Sequence, residues 1–400
     1  MNKLKVLFIT PQLPYPPISG GVIISWKMVK FLSENFDLVL GCFLKGEDDK
    51  YMEEFINKVN LKFFFYESLN KERNIDNYIK SILLRKPFPV YRNWSPTFKE
   101  KVYSVIEKHG INVILVDHFL MFQYVPENFN GKVILLEHNA EYVIWKRYAE
   151  NEKNILKKII AYIESFRIKK YEQKICNLAD KVLCVSSNDI KNLIKIGVRK
   201  DKFELVMPLG DEDLLKREDI KFENTEEALL FIGTLTWEPN IDGLIWFIEN
   251  AWNKLKEKIP SIKFYIVGKN PPKKLEALSR KYRDIILTGF VEDLEEYYKR
   301  SRVFISPLRF GSGIKIKNLN AMCRGIPLVT TPIGVEGIEG VDGIHFMVGN
   351  NIDELIDKIV ILMKNKEKWM EISTNARLLM QEKYNWKNEL NKLKKVIEEE

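Results

Sequence analysis

The stretch VFISPLRFGSGIKIKNLNAM, residues 303–322, joins three features that together indicate the fold. A short apolar run comes first, a Gly-Ser-Gly loop with basic neighbours follows, and a helical pattern begins near Asn318. A strand, a glycine loop and a helix in this order are typical of a βαβ unit, whose loop lies at the carboxyl end of the strand, where open α/β sheets bind ligands. Backbone N–H groups of such a loop can face an anion, and Lys315 and Lys317 add positive charge beside it. The alternative interpretation is a surface loop with hydrated lysines.

The same alternation of apolar runs and helical patterns extends along the chain. Runs that predict strands lie at residues 5–10, 36–44, 59–67, 111–119, 132–139 and 181–187, and again at 227–235, 262–269, 285–290, 303–308 and 327–332. Patterns that predict helices lie at residues 26–35, 96–109, 242–258, 273–282, 294–300 and 318–324. Because the apolar runs are continuous, parallel sheets covered by helices on both faces are expected. We therefore predict an α/β protein with two doubly wound, Rossmann-like domains.

The length of 400 residues also favours two domains, since hydrophobic cores stop growing near ~250–300 residues. The break is predicted where a strand-like run ends at a Pro-Leu-Gly turn and a charged, weakly apolar segment follows. The predicted parts are an N-terminal domain of residues 1–206, a linker of 207–226, a C-terminal domain of 227–380 and a terminal helix of 381–400.

The net charge of +8, from 63 basic and 55 acidic residues, is a mild excess. It suits an anionic ligand or an anionic membrane surface better than nucleic acid, whose binding proteins usually concentrate more positive charge. No apolar run approaches the roughly 18 residues of a membrane span, so we expect any membrane contact to be peripheral.

Cysteine and histidine spacing indicates the compartment and the absence of a metal centre. The four cysteines include no C-x-x-C pair, and the four histidines form no metal-binding motif. We interpret the cysteines as reduced core thiols of a cytosolic protein. No metal site is expected.

Residues 141–178 carry apolar side chains at roughly helical spacing, with many lysines and arginines on the other faces. One interpretation is a long amphipathic helix packed on its own sheet. The other is a basic surface that meets anionic lipid or an anionic lipid-linked acceptor.

Polar residues at the ends of two predicted strands are candidates for chemistry. His118 and Asp117 end one strand, and His138 follows another, so all three are expected at one edge of the sheet. Asp117 and Glu141 could orient the histidines or accept a proton from a hydroxyl. Each histidine could instead be a structural residue.

A glycine pair follows the first predicted strand. Gly20 and Gly21 lead into a helix at Val22, and glycines at a helix N-terminus let backbone N–H groups approach a phosphate. A simple Gly-Gly turn is the alternative.

Taken together, these segments resemble the GT-B glycosyltransferases of the retaining family 4 type. The donor-site signature of that family is similar to residues 307–338, PLRFGSGIKIKNLNAMCRGIPLVTTPIGVEGI. Further segments that resemble the family follow in its order: ITPQLPYPPISGG (9–21), HNAEYVIWKRYA (138–149), VLCVSSND (182–189), FIGTLTWEPNIDGLIWF (231–247), IVGKN (266–270), TGFVEDLEEYY (288–298) and YNW (384–386). The resemblance implies two doubly wound domains that face a cleft, with the last helix crossing back to the N-terminal domain.

The resemblance implies a role for each matched position. It makes Lys315 and Lys317 the clamps of a nucleotide diphosphate, with Arg309 close by. Beside Gly20, Gly21 and the two lysines, the residues implied to bind the nucleotide sugar are Gly289, Phe290, Val291, Asp293, Ser312, Gly313, Ile314 and Asn320. Asn320 stands where relatives carry a glutamate that binds the donor ribose, so donor binding is expected to lose roughly 1–2 kcal/mol of charge-assisted hydrogen bonding.

The implied reaction is a retaining, metal-independent transfer of a hexose. The donor would be a nucleotide sugar, with UDP- or GDP-sugars favoured, and no further cofactor is expected. The acceptor would be a saccharide or a lipid-linked saccharide in cell-surface glycan assembly, at a cytoplasmic location with peripheral contact at the inner face of the membrane. Because Asn320 replaces that glutamate, a catalytically weakened nucleotide- or sugar-binding protein is one alternative. A nucleotide-sugar epimerase is a further alternative.

Overall fold

The computed structural model describes residues 3–206, 210–384 and 386–399. The chain forms two units, of which the first comprises residues 1–207 with 387–400 and the second comprises 208–386. Residues 207–209 of the predicted linker lie outside the described residues. The rest of that segment contains two short 3₁₀ turns, Glu212–Lys216 and Phe222–Asn224, before the first strand of the second sheet.

The first unit is built on a parallel sheet of seven strands in the order β3-β2-β1-β4-β5-β6-β7. The strands are β1 (Lys5–Thr10), β2 (Asp37–Leu44), β3 (Phe63–Ser68), β4 (Val113–Asp117), β5 (Lys132–Glu137), β6 (Lys181–Cys184) and β7 (Phe203–Leu205). The central strands are buried over nearly their whole length, which explains their continuous apolar runs. The strand order reverses between β1 and β4, and a doubly wound sheet binds ligands beside such a reversal.

Helices cover both faces of this sheet, as the sequence predicted. They are α1 (Gly20–Asn35), α2 (Met52–Lys58), α3 (Ile75–Leu83), α4 (Phe88–Arg92), α5 (Pro96–His109), α6 (Glu141–Asn151), α7 (Ile155–Leu178) and α8 (Ser187–Lys195). The prediction of one long helix over residues 141–178 was wrong, since α6 ends at Asn151 and α7 begins at Ile155. The side chain of Asn154 accepts a hydrogen bond from the N–H of Lys157 at 3.1 Å, so a new helix is capped where a continuous one was expected.

The second unit repeats the architecture with a six-stranded parallel sheet in the order β10-β9-β8-β11-β12-β13. Its strands are β8 (Glu226–Ile232), β9 (Lys263–Val267), β10 (Ile285–Gly289), β11 (Ser301–Ser306), β12 (Leu328–Thr330) and β13 (Met347–Val348). Its helices are α9 (Glu238–Lys258), α10 (Lys273–Lys281), α11 (Glu295–Arg300), α12 (Ile316–Arg324), α13 (Ile352–Lys364) and α14 (Lys366–Lys383). The order reverses between β8 and β11, so the glycine loop quoted first lies at the switch point of this sheet.

The last helix, α15 (Trp386–Glu398), contributes to the first unit from residue 387 onward. Lys132 at the start of β5 donates from Nζ to the carbonyl oxygens of Val396 and Glu399, at 2.6 and 2.7 Å. Asn385, which precedes this helix, lies outside the described residues. None of the helices that the structure describes combines the length and the apolar composition needed to cross a bilayer.

Candidate functional site

The glycine loop after β11 bends back on itself. Gly311 and Gly313 have φ angles of 141° and 71°, which side chains with a Cβ rarely adopt. Lys315 is only 5% exposed, and its Nζ donates to the carbonyl oxygens of Ser312, at 3.1 Å, and of Gly313. The predicted residues Ser312, Gly313 and Lys315 are therefore held together, and the lysine charge lies at the base of the loop.

Lys317 joins this loop to the loop that follows β8. Its Nζ donates to Oδ1 of Asn240 on α9, and Nδ2 of Asn240 donates to the carbonyl of Thr234 at 2.9 Å. The same Nζ lies 4.3 Å from the ring centroid of Phe231. Burial, reinforced by the nearby charge of Lys315, lowers the pKa of Lys317 well below its usual value. An anion bound here would restore the charged form.

Arg309, which the family resemblance places close to the diphosphate, pairs with a carboxylate of α9. Its Nε donates to Oδ2 of Asp242 at 2.7 Å and its terminal nitrogen donates to Oδ1, so the two side chains form a bidentate pair. Its guanidinium also lies 5.8 Å from the ring of Trp246. These contacts fasten the start of the loop to α9, and they occupy the guanidinium in the absence of a ligand.

Asn320 and Asn318 lie on α12 beyond the loop. Oδ1 of Asn320 accepts a hydrogen bond from the N–H of Asp211 at 2.8 Å. Nδ2 of the fully buried Asn318 donates to the carbonyl of Gly334 at 2.7 Å. Both side chains therefore fasten other loops of the second unit to α12, and the oxygen of Asn320 already has a partner within the chain.

The residues predicted to form a base pocket follow β10. Gly289 ends that strand with a φ of 74°, and Phe290 next to it has 55% of its surface exposed. The Asp293 carboxylate accepts a hydrogen bond from the N–H of Glu295, the first residue of α11, at 3.0 Å. Val291 is half-buried. An exposed ring beside a flexible glycine is available for stacking, whereas Asp293 has a structural contact of its own.

In the first unit Asp117 lies at the centre of a hydrogen-bonded group at the β1–β4 switch point. Its Oδ1 accepts from Nε2 of His138 at 2.6 Å, and its Oδ2 accepts from the hydroxyls of Thr10 at 2.7 Å and Ser25 at 2.6 Å. Burial by itself would raise the pKa of Asp117, but the charge of His138 and the three hydrogen bonds outweigh burial and lower it. Asp117 is therefore an ionised carboxylate that orients the His138 ring.

His118 and the glycine pair lie beside this group. The rings of His118 and His138 are stacked with centroids 5.5 Å apart, and His118 has a φ of 73°, unusual for a residue with a Cβ. Burial, followed by the charge of His138, lowers the pKa of His118 to about 3, so its ring is neutral near pH 7. Gly20 and Gly21 open α1, and a Cβ on the exposed Gly21 would lie 3.7 Å from Nδ1 of His138. The structure thus brings the predicted Asp117, His118, His138 and Gly21 together.

Buried acids position the segment that follows His138. The Glu172 carboxylate accepts from the N–H groups of Glu141 and Tyr142 at 2.7 and 3.0 Å, which caps the start of α6. Burial raises the pKa of Glu172 well above its usual value and that of Glu141 to about 7. No three histidine, cysteine, aspartate or glutamate side chains in residues 3–206, 210–384 and 386–399 are grouped as ligands of a metal ion.

The raised pKa of Glu141 makes the stability of the protein depend on pH. Between its unfolded pKa near ~4.3 and its folded pKa of about 7, the native state holds a proton that the unfolded chain has lost, so this carboxyl destabilises the fold as pH rises. We expect Glu141→Gln to become more stable relative to the original protein between pH 5 and pH 7, by about 2 kcal/mol after allowance for partial exposure, and to level off above pH 7. Urea unfolding at several pH values measures this difference. The control is Glu150→Gln, which removes an exposed carboxylate of the same helix, and a difference independent of pH for Glu141→Gln would contradict the assignment.

Several residues of these sites were not predicted. They are Thr10, Ser25, Thr234, Asn240 and Asp242. Ser25 lies one helical turn after Gly21, and Thr10 ends β1, so both positions carried a usable signal. Asn240 and Asp242 carried none, because their partners lie 77 and 67 residues away in the chain.

The family model described as Glycosyl transferases group 1 matches residues 226–365, which include the β8 loop, the lysine loop and α12. An uncharacterized glycosyltransferase of Methanocaldococcus jannaschii is 26% identical over 423 residues, covering 100% of this chain and 99% of the relative.

Solved structures show the same fold. Sucrose-phosphate synthase from Thermosynechococcus elongatus has a TM-score of 0.72 at 14% identity and covers 98% of both chains. The Anabaena protein HepE, in complex with UDP-glucose, has a TM-score of 0.69 at 13% identity and covers 98% of this chain and 99% of that one. Residues 226–365 therefore match the glycosyl transferases group 1 family model, and the chain has the two-sheet α/β fold of the GT-B glycosyltransferases.

Proposed function

We propose that the protein transfers a hexose from a nucleotide sugar, bound by the second unit, to a saccharide or lipid-linked acceptor bound by the first. The observation that carries this proposal is the placement of Lys315 and Lys317 at the switch point of the second sheet, in a segment that matches the group 1 family model. The transfer proceeds with retention, without a metal ion, in the assembly of a cell-surface glycan.

The lysine loop would stabilise the leaving group. Negative charge develops on the diphosphate as its bond to the sugar breaks, and preorganised cations and N–H groups lower the energy of that state. The sugar carbon acquires oxocarbenium character at the same time. The acceptor oxygen bonds to that carbon on the face that the diphosphate leaves, and its proton passes to a diphosphate oxygen. Retention then needs no nucleophile from the protein.

His138 is the residue of the first unit that we assign to the acceptor. Because the Asp117 carboxylate accepts the hydrogen bond at 2.6 Å, the proton resides on Nε2 of His138. Nδ1 then faces the exposed backbone of Gly21. We assign it a hydrogen bond with a sugar hydroxyl, while Asp117 sets the orientation and tautomer of the ring. Asp117 has no proton-accepting role here, because it is buried and already accepts three hydrogen bonds.

A peripheral place on the inner face of the membrane is supported by exposed apolar side chains on two helices of the first unit. They are Ile75, Ile79, Ile82 and Leu83 on α3, and Ile155, Leu156, Ile159, Ile163 and Phe166 on α7. The two helices are joined where Arg167 donates to the carbonyl of Ser81 at 2.9 Å, and lysines flank both. Apolar and basic residues side by side suit an anionic bilayer surface. Failure to sediment with anionic vesicles at low salt would exclude this contact.

The donor class is tested by thermal unfolding with UDP, GDP, ADP, CDP and dTDP and their common sugars. A ligand that binds only the native state adds RT ln(1 + [L]/Kd), about 2.7 kcal/mol at a hundredfold excess over Kd. We expect one nucleotide, with UDP tested first, to raise the melting temperature and Lys317→Ala to diminish that rise. If no nucleotide stabilises the protein, the proposed function is wrong.

A weakened binding protein is a second candidate, favoured by the contact between Asn320 and Asp211. The family resemblance implies that relatives carry a glutamate at this position and that it binds the donor ribose. In this chain the side-chain oxygen of Asn320 already accepts a hydrogen bond from the backbone of Asp211. The same nucleotide series on Asn320→Glu separates the candidates. Stabilisation only in Asn320→Glu would favour the binding protein, and equal stabilisation in both proteins would favour the transferase.

A further inference from the structure

A second group of cations lies at the carboxyl edge of the first sheet, and the residues discussed above do not include it. Lys45 follows β2, Lys71 follows β3, Lys86 precedes α4 and Arg92 ends it. We refer to these four residues as the basic group. All four residues are half-buried, so their side chains do not extend freely into solvent.

Two of the lysines are held by neutral oxygen atoms. Nζ of Lys45 donates to Oδ1 of Asn93 at 2.8 Å, and Nζ of Lys71 donates to the carbonyl of Trp94 at 2.6 Å. The Lys71 ammonium also lies 4.4 Å from the ring centroid of Tyr91. Neutral oxygens and ring faces satisfy the donors but leave the positive charge uncompensated.

The other two members are held in the same way. Nζ of Lys86 donates to Oε1 of Gln123 at 2.8 Å and lies 3.7 Å from the ring centroid of Trp94. Nε of Arg92 donates to the carbonyl of Lys71 at 2.7 Å. The backbone and amide contacts thus fix the direction of each charged end without supplying a counter-charge.

The group is poor in acids. In the part of the chain that the structure describes, none of the four cations has a carboxylate oxygen within the 4.0 Å of an ion pair. The acids that act on the group are Asp48 for Lys45 and Glu67 for Lys71. Asp48 accepts from the backbone N–H of Lys45, and Glu67 accepts from the hydroxyl of Ser95, so both carboxylates have other partners.

Burial and mutual repulsion act on these cations together. Burial, with the charge of Arg92, lowers the pKa of Lys45 to about 8, and burial, with neighbouring lysine charges, lowers that of Lys86 to about 8. Unpaired buried cations are costly, and proteins usually pair them or use them for binding. An anion bound among these cations would offset both their mutual repulsion and the free-energy cost of burying their charges.

The group also lies at the edge that carries His118 and His138. The strands β2, β1 and β4 are parallel neighbours, so the residues that follow their carboxyl ends lie on one side of the sheet. The charge of Lys45 contributes to the lowered pKa of His118, which places the two groups near each other.

We infer that the basic group binds a phosphate or diphosphate group carried by the acceptor. This inference rests on the proposed function only in naming the acceptor as the molecule that carries the phosphate. Binding of the anion itself can be measured without any transfer. Lysines bind phosphate as point charges, and several together suit a group with more than one negative charge. The adjoining apolar residues of α3, which follow Lys71 in the chain, fit a phosphate borne by a lipid, whereas a phosphorylated soluble saccharide offers the same anion.

The test compares Lys45→Met/Lys86→Met with the control Lys30→Met/Lys108→Met. Methionine retains the apolar stem and removes the charge, and Lys30 and Lys108 are exposed lysines of the same unit. Every chain in this experiment also carries Lys317→Ala, so that the loop of the second unit does not bind the probe. The probe is inorganic pyrophosphate, titrated by calorimetry. We expect its dissociation constant to rise by about tenfold or more in the first pair and to stay within about twofold in the control.

Stability separates binding from a structural role. Because unpaired cations repel one another, Lys45→Met/Lys86→Met should keep the unfolding midpoint without pyrophosphate, and a large drop would indicate that the lysines hold the fold. Lys71→Met provides a second variant if the pair fails to fold. Equal pyrophosphate affinity in all chains, together with equal partition into vesicles, would overturn the inference.

A second arm identifies the source of the phosphate. Partition is measured into phosphatidylcholine vesicles with and without phosphatidylglycerol as one lipid in three. Loss of partition in Lys45→Met/Lys86→Met would assign the group to lipid-borne phosphate, and unchanged partition with weakened pyrophosphate binding would assign it to a soluble acceptor. Nucleotide binding by chains without Lys317→Ala is measured separately, so failure of the donor proposal is distinguishable from failure of this one.

Discussion

Lys317→Ala is expected to lower kcat/KM for sugar transfer by about 10²–10³-fold, the range found when one preorganised donor to a developing charge is removed. Lys317 is held against Asn240 and Phe231 before any ligand arrives, so its Nζ needs no rearrangement during the reaction. The control is Lys254→Ala, because Lys254 is an exposed lysine of the same unit that pairs with Asp353. Transfer by Lys317→Ala at the original rate would show that the loop does not hold the leaving group.

The lowered pKa of Lys317 adds a signature that a merely structural lysine would lack. Burial favours the neutral amine in the free protein, and the diphosphate favours the ammonium, so nucleotide binding should be accompanied by proton uptake. Calorimetric titration in two buffers of different ionisation enthalpy measures that uptake. We expect uptake in the original protein and in Lys254→Ala, and a clear reduction in Lys317→Ala.

Much of the fold could be predicted because its signals are local. Continuous apolar runs mark strands buried on both faces, and the helical patterns between them leave a doubly wound sheet as the natural arrangement. β13 was not predicted, because Met347 and Val348 alone form no recognisable run. The break between α6 and α7 was missed for another reason. Residues 152–154 contain neither glycine nor proline, and the cap made by Asn154 is a single hydrogen bond.

The contacts of the site residues also differ in how far the sequence could predict them. The glycine loop and Lys315 lie within a few residues of one another, so their association is visible in the sequence. Arg309 pairs with Asp242, which lies 67 residues away in the chain, and no periodicity indicates such a pair. The basic group comes from the ends of different elements, and only the fold brings them to one edge. Long-range polar contacts between single side chains are therefore what sequence patterns leave undetermined.

Asp117→Asn is expected to lower both stability and transfer, because it removes the charge around which three donors converge. Asparagine has one carbonyl oxygen and one N–H₂ group, so it cannot accept from His138 on one side and from Thr10 and Ser25 on the other. Breaking a buried pair by removing one partner costs about 3–5 kcal/mol of unfolding free energy. We expect a loss of that order at pH 7, measured by urea unfolding.

The pH dependence of that loss identifies the carboxylate as its source. The folded pKa of Asp117 is lowered, so its contribution is present above the unfolded pKa near ~3.9 and disappears as pH falls through the folded value. The difference between Asp117→Asn and the original protein should therefore be constant from pH 5 to pH 7 and shrink below pH 4. A difference that stays constant below pH 4 would mean that shape, rather than charge, carries the effect.

Catalysis decides between a positioning role and a structural one. If Asp117 orients His138 toward the acceptor, kcat per folded molecule should fall by about 10²-fold or more in Asp117→Asn, because a misplaced ring no longer meets the acceptor. Ser25→Ala is the matched control, since it removes one hydrogen bond to the same carboxylate, at about 1 kcal/mol, and leaves the bond to His138 in place. We expect Ser25→Ala to change kcat little. Full activity per folded molecule in Asp117→Asn would instead make the group around Asp117 a structural element at the β1–β4 switch point and remove His138 from the reaction.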